Sequence, residues 1–143
     1  MHAHSWELHS YVLYGRVGNL PVRVNDGVDD PTHRIYRVDS APDGEDDILP
    51  TSRLVRGEPG PEQISTGGEV YTLAAGRFHA TVVHREAPAA TLVLGRSLPG
   101  RVDLALGPLH GGGGRTVRQL CDAEQTREAV HGALRRIHAG ERA

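Results

Sequence analysis

Short runs rich in Val, Leu, Ile, Thr and Tyr alternate along most of this chain with clusters of Gly, Pro, Asn and Asp. The runs fall at residues 8–17, 20–24, 33–38, 52–56, 69–73, 79–84 and 90–95. Between them stand Gly18-Asn19, Asn25-Asp26-Gly27, the acidic stretch from Pro42 to Asp47, Gly57-Glu58-Pro59-Gly60-Pro61, Gly67-Gly68 and Pro99-Gly100. β-branched and aromatic side chains fit a pleated, half-buried surface, and the intervening residues supply the backbone conformations that turns demand. The spacing therefore predicts an all-β fold, an antiparallel sandwich or barrel.

The end of the chain has a different period. From Asp122 to His138 the residues Ala123, Ala129, Val130, Ala133, Leu134 and Ile137 recur at helical spacing, and Asp122 with Gln125 forms a capping-box pattern. Arg135, Arg136 and His138 favour the negative end of the helix dipole, and Gly140 can stop the helix. The organisation read from this is a β-barrel over 1–109, a Gly-rich linker over 110–121 and a C-terminal helix over 122–143 packed on the barrel, together one domain. The linker run His110-Gly111-Gly112-Gly113-Gly114-Arg115 lacks the Lys-Ser/Thr pair and the strand–loop–helix context of a phosphate loop.

Composition excludes several functions. Net charge is −2 and arginines are scattered from Arg16 to Arg142, so no basic face for nucleic acid is expected. Apolar runs are far too short to span a bilayer, so no membrane partner is expected. Cys121 is the single cysteine, which rules out an intramolecular disulfide and fits a cytoplasmic location.

Nine histidines are present, and three of them, His2, His4 and His9, crowd the first ten residues. On an extended strand His2 and His4 point to one face, close enough to share an ion. An unbulged strand from residue 8 to 14 puts Leu8, Ser10, Val12 and Tyr14 on one face and His9, Tyr11 and Leu13 on the other. His9 then points away from the pair; a bulge at Ser5-Trp6-Glu7 would reverse this and leave His9 open as a fourth ligand. Tyr14 and Arg77 are candidate contacts for a substrate, the latter for a carboxylate.

Two stretches resemble the paired motifs of the cupin superfamily, small metal-carrying β-barrels. In the first motif, G-x5-H-x-H-x3,4-E-x6-G, His2, His4 and Gly15 match the two histidines and the last glycine. In the second, G-x5-P-x-G-x2-H-x3-N, Gly68, Gly76 and His79 match, with Ala74 in place of proline and Val83 in place of asparagine. The resemblance implies a jelly-roll barrel and a metal site formed by His2, His4 and His79. Leu8 stands where the family has a ligating glutamate, so the resemblance implies a three-histidine centre without an anionic ligand. It is similar in this to three-histidine thiol and diketone dioxygenases.

Three neutral imidazoles suit a divalent ion: Fe(II) is favoured, and Zn(II), Ni(II) or Cu(II) fit as well. The expected activity is that of a mononuclear non-heme iron dioxygenase acting on a small organic substrate. A non-catalytic small-molecule-binding barrel and a metal-assisted isomerase or cyclase, with Glu7, His9 or Tyr14 as base, are the alternatives. The resemblance also implies a strand ahead of the first histidine, where only Met1 stands. The expectation is an upstream segment, or a His2/His4 strand left as a free edge that a homodimer could cover. Phe78, Val82, Leu92 and Leu94 are expected in the core, Trp6 beneath the first turn, and His33, His84, His110, His131 and His138 outside any ligand set.

Overall fold

The computed structural model describes residues 1–83 and 88–140. It contains eleven strands and one helix: β1 (His2–Ala3), β2 (Trp6–Tyr14), β3 (Arg16–Asp26), β4 (His33–Ser40), β5 (Glu45–Pro59), β6 (Gln63–Thr66), β7 (Val70–Leu73), β8 (His79–Val83), β9 (Ala90–Ser97), β10 (Asp103–Gly107), β11 (Gly114–Val117) and α1 (Ala123–Gly140). The chain is mostly β, as its strand–turn rhythm predicts, and every strand pairing is antiparallel.

Six strands close on themselves. The order β5–β4–β10–β1–β8–β3 is completed by pairing of β3 with β5, and β11 and β6 extend it from β5 and β3. Closure removes the exposed edges that a six-stranded sheet would otherwise present. The core follows from the ring: Ala3, Val22, Ile35, Val55 and Leu106 come from β1, β3, β4, β5 and β10, and Phe78 immediately precedes β8. Five strands of the ring and the residue leading into the sixth thus contribute to one apolar cluster, and its burial is the main force holding the ring shut.

β1 has only two residues yet sits inside this ring, so it is not the free edge expected of it. His2 pairs with Ala105 of β10 on one side and His79 of β8 on the other. Hydrogen bonds from Leu106 N–H to the Met1 carbonyl, 3.0 Å, and from Gly76 N–H to the His4 carbonyl, 2.8 Å, secure its two ends.

A second sheet, ordered β7-β2-β9, carries the period of two read from residues 8–14. Leu8, Ser10 and Val12 are buried, while His9 and Tyr11 are exposed. A register shift between Val12 and Tyr14 then breaks the alternation. Phe78 is in the core as expected, but Leu92 and Leu94 are not: they are 66% and 72% exposed, because β9 is the outermost strand of this small sheet.

Several expected turns are strands. Gly18-Asn19 lies inside β3, and the chain turns instead at Gly15, whose φ of 79° is the left-handed conformation that glycine adopts without strain. β5 begins at Glu45, inside the expected acidic loop, and passes Pro50 at an irregularity in its register with β4. A bulge is where a strand tolerates proline, since that residue's missing N–H need not break the ladder. Within the segment expected as a linker, Gly114–Val117 pairs with Glu45–Ile48 as β11.

α1 starts with the capping box. Gln125 N–H donates to Asp122 Oδ1 at 2.8 Å, and Asp122 N–H donates to Gln125 Oε1 at 3.0 Å. No residue of α1 is buried, though Arg136 lies 6.0 Å from the Tyr14 ring centroid, so the helix touches β2 only lightly. No helix among the described residues is long and apolar enough to cross a membrane.

Candidate metal centre

His2, His4 and His79 come together. One nitrogen from each lies within 4.8 Å of the others, and the ring centroids are 4.7, 4.5 and 5.3 Å apart. The ring topology explains how residues more than seventy positions apart meet. β1 and β8 are neighbours, and their register sets His2 directly opposite His79. His4 joins them from the same face, two residues along. Since Ala3 and Phe78 belong to the core cluster, alternation puts the histidines on the opposite face of the ring from that core.

The donor set suits a metal ion. His2 Nε2 and His4 Nε2 are 3.2 Å apart. Two nitrogens bound at about 2.1 Å to one ion, in tetrahedral or octahedral geometry, are about 3.0–3.4 Å apart. The ring of His79 is already oriented: its Nδ1–H donates to the Arg77 carbonyl at 3.1 Å, which leaves Nε2 with its lone pair free to ligate. His79 is 3% exposed.

His2 and His4 are disfavoured as cations. Burial, then the His79 and His4 rings, push His2 down from 6.5 to about 4, and burial with His79 lowers His4. A neutral ring is the form that binds metal.

Asp103 opposes that shift in both histidines. The β1–β10 register, with Ala3 opposite Leu104, brings Asp103 beside His4, and its Oδ1 accepts the Ser5 N–H at 2.5 Å. Nothing local in the sequence marks this carboxylate; only the pairing of the first strand with the tenth does.

Trp6 forms the other wall. Its ring stacks on His4 at 4.5 Å with a 35° tilt, and a Cβ built on Gly95 would stand 2.9 Å from Trp6 Cε3. The absence of a side chain at Gly95 is what lets the indole lie against β9.

Leu8, the residue in place of the family's glutamate, is buried and supplies no donor. His9 is exposed on the other face of β2, 3.1 Å from Thr72 Oγ1 and 3.3 Å from Glu7 Oε1. Glu7 lies in β2 and also faces Arg96 at 3.4 Å. Tyr14 sits beyond the β2 irregularity near Arg136 and does not line the cleft described next. His33 bonds Thr32 Oγ1 at 2.7 Å, and His84 lies outside the described residues.

A cleft of about 970 Å³ opens beside His79, lined also by Arg77, Asn19, Arg23, Gln63 and Thr72. The structure thus joins Arg77 to the His79 side of the cluster and leaves Tyr14 apart. Three imidazoles together with a cleft of this size could hold a divalent ion and admit a small molecule to it. Comparisons with protein-family models, curated proteins and solved structures found no match.

Proposed function

We propose that the protein is a metal-binding β-barrel in which His2, His4 and His79 hold one divalent first-row ion, Fe(II) in preference to Zn(II), Ni(II) or Cu(II). The observation that carries this reading is the convergence of three ring nitrogens within 4.8 Å on neighbouring strands of a closed ring. Support comes from the Arg77 carbonyl orienting His79 and from the lowered proton affinity of His2 and His4. Such an outer contact fixes the tautomer that presents its lone pair to the ion.

The finer reading is a cupin-type mononuclear dioxygenase for a small organic substrate. Bound iron would supply a Lewis-acidic, redox-active centre where substrate and oxygen meet. The chain's own part is narrower. His79 and the rings around it set ligand geometry, Trp6 shields His4 on one side, and the cleft gives a substrate access to His79. Leu8 favours a three-histidine centre over one with a carboxylate ligand.

A second reading, a small-molecule binder that uses no metal, draws on the 3.2 Å separation of His2 Nε2 and His4 Nε2, which lets the two rings share a hydrogen bond by themselves. Anaerobic iron reconstitution of protein purified without an affinity tag, followed by elemental analysis, separates the two. One equivalent of iron in the wild type and none in His79→Ala supports the metal centre. Iron-free wild-type protein after reconstitution rules it out.

A further inference from the structure

We propose that the cleft beside His79 binds small organic carboxylates, with Arg77 and Arg23 taking the anionic end and Asn19 a hydrogen-bonding group. This names the substrate class for the proposed metal centre and rests on that reading.

Register assembles the site. Asn19, Pro21 and Arg23 alternate on one face of β3, His79 pairs with Pro21, and Gln63 pairs with Asn19. The cleft's polar lining is therefore continuous with the face that carries the three histidines.

Two features of that lining point to a ligand. The guanidiniums of Arg77 and Arg23 have no ion pair or hydrogen bond among the described residues, a state they share with the exposed Arg16 and Arg135 but not with Arg34, Arg37, Arg53, Arg56, Arg115 and Arg118; unlike Arg16 and Arg135, they line the cleft. Glu58 stands opposite Arg23 and lines the cleft too, but forms no ion pair with it. Two arginines against one glutamate leave the cleft cationic, and an arginine fork matches a carboxylate.

The second feature is Asn19, 3% exposed, whose Oδ1 is sealed from solvent with no hydrogen-bond partner among the described residues. A buried carboxamide left unsatisfied by its own protein weakens the fold. A polar group of a ligand seated against Asn19 could supply the missing partner. Stability given up at a binding surface is the pattern expected of a functional residue.

The test is calorimetric titration of pyruvate, succinate and benzoate, and of their uncharged amides, into metal-free and Zn(II)-loaded protein. The metal-free protein isolates the arginines from direct coordination. At least one acid should bind in the millimolar range or tighter and exceed its amide. Arg77→Gln and Arg23→Gln should each weaken it about fivefold or more, through loss of charge-assisted hydrogen bonds. Asn19→Leu should weaken binding while leaving the melting temperature unchanged or raised. Acids that bind no better than their amides, acids that fail to bind at 20 mM, or affinities indifferent to both arginine variants overturn the proposal. Carboxylate binding without Zn(II) uptake would sink the metal reading alone; Zn(II) uptake without carboxylate binding would sink this one alone.

Discussion

His79 Nδ1–H donates to the carbonyl of Arg77 two residues upstream, at 3.1 Å, so the residue that lines the cleft also aims the ring that faces the histidine cluster. The bond is to backbone, and a side-chain change at Arg77 leaves it in place. Arg77→Gln is therefore expected to keep metal affinity within about twofold, against the about 10- to 100-fold typical when a ligand's orienting contact is lost. His79→Ala should lower affinity by about 100-fold or more on the same scale. Competition titration of both variants against a chromophoric chelator checks the pair.

Metal-free stability should depend on pH through His2. Its proton affinity is depressed to about 4 in the fold, chiefly by burial, against 6.5 in the open chain. Between those values the unfolded chain binds the extra proton, so stability is full above about 6.5 and falls as pH drops toward 4. Urea midpoints from pH 8 to pH 4 should show this decline, and His2→Gln should make it shallower, with His4 supplying the remainder. Identical slopes for the two proteins would remove His2 as its source.

The closed ring implies a sharp contrast between two leucine-like positions. Ile35, 1% exposed, belongs to the core cluster of the ring, while Leu94 is 72% exposed on β9. Ile35→Ala should cost about 2–5 kcal/mol and Leu94→Ala no more than about 0.5 kcal/mol. Denaturant unfolding decides between this ring-centred core and a sandwich in which β9 contributes to the interior.

Gly95→Ala tests the Trp6 wall. The new Cβ would meet Trp6 Cε3 at 2.9 Å, so the indole must shift, at a cost of about 1–3 kcal/mol for overpacking. Trp6 is the sole tryptophan, and its emission reports the His4 contact directly. A changed emission maximum is expected; an unaltered spectrum and stability would mean the indole does not rest on Gly95.

Asp122→Ala tests the junction between the ring and α1. Loss of the reciprocal Asp122–Gln125 bonds should destabilise the helix by about 0.5–2 kcal/mol. With no residue of α1 buried, little tertiary packing compensates. Circular dichroism should show reduced helicity while metal affinity is unchanged.

Much of this was readable from residue pattern, and the remainder was not for definable reasons. The alternation of Leu8, Ser10 and Val12 against His9 and Tyr11 is local, and the structure keeps it, with His9 outward. The capping box at Asp122 is likewise local. Gly18-Asn19 resembles a turn in composition, yet pairing with both β6 and β8 holds it in a strand. The same long-range pairing gives a two-residue β1 an interior place that no propensity could show. Asp103 and Asn19 carry no motif at all; register alone brings them to the histidine-bearing face.

His2, His4 and His79 are proposed to hold one metal ion. The most direct test is a titration of tag-free, metal-free protein with Co(II), reading visible absorption and Trp6 emission together. Both signals should saturate at one equivalent in the wild type, and neither should appear in His79→Ala. Absence of saturable binding, or an unchanged titration in His79→Ala, would contradict this assignment.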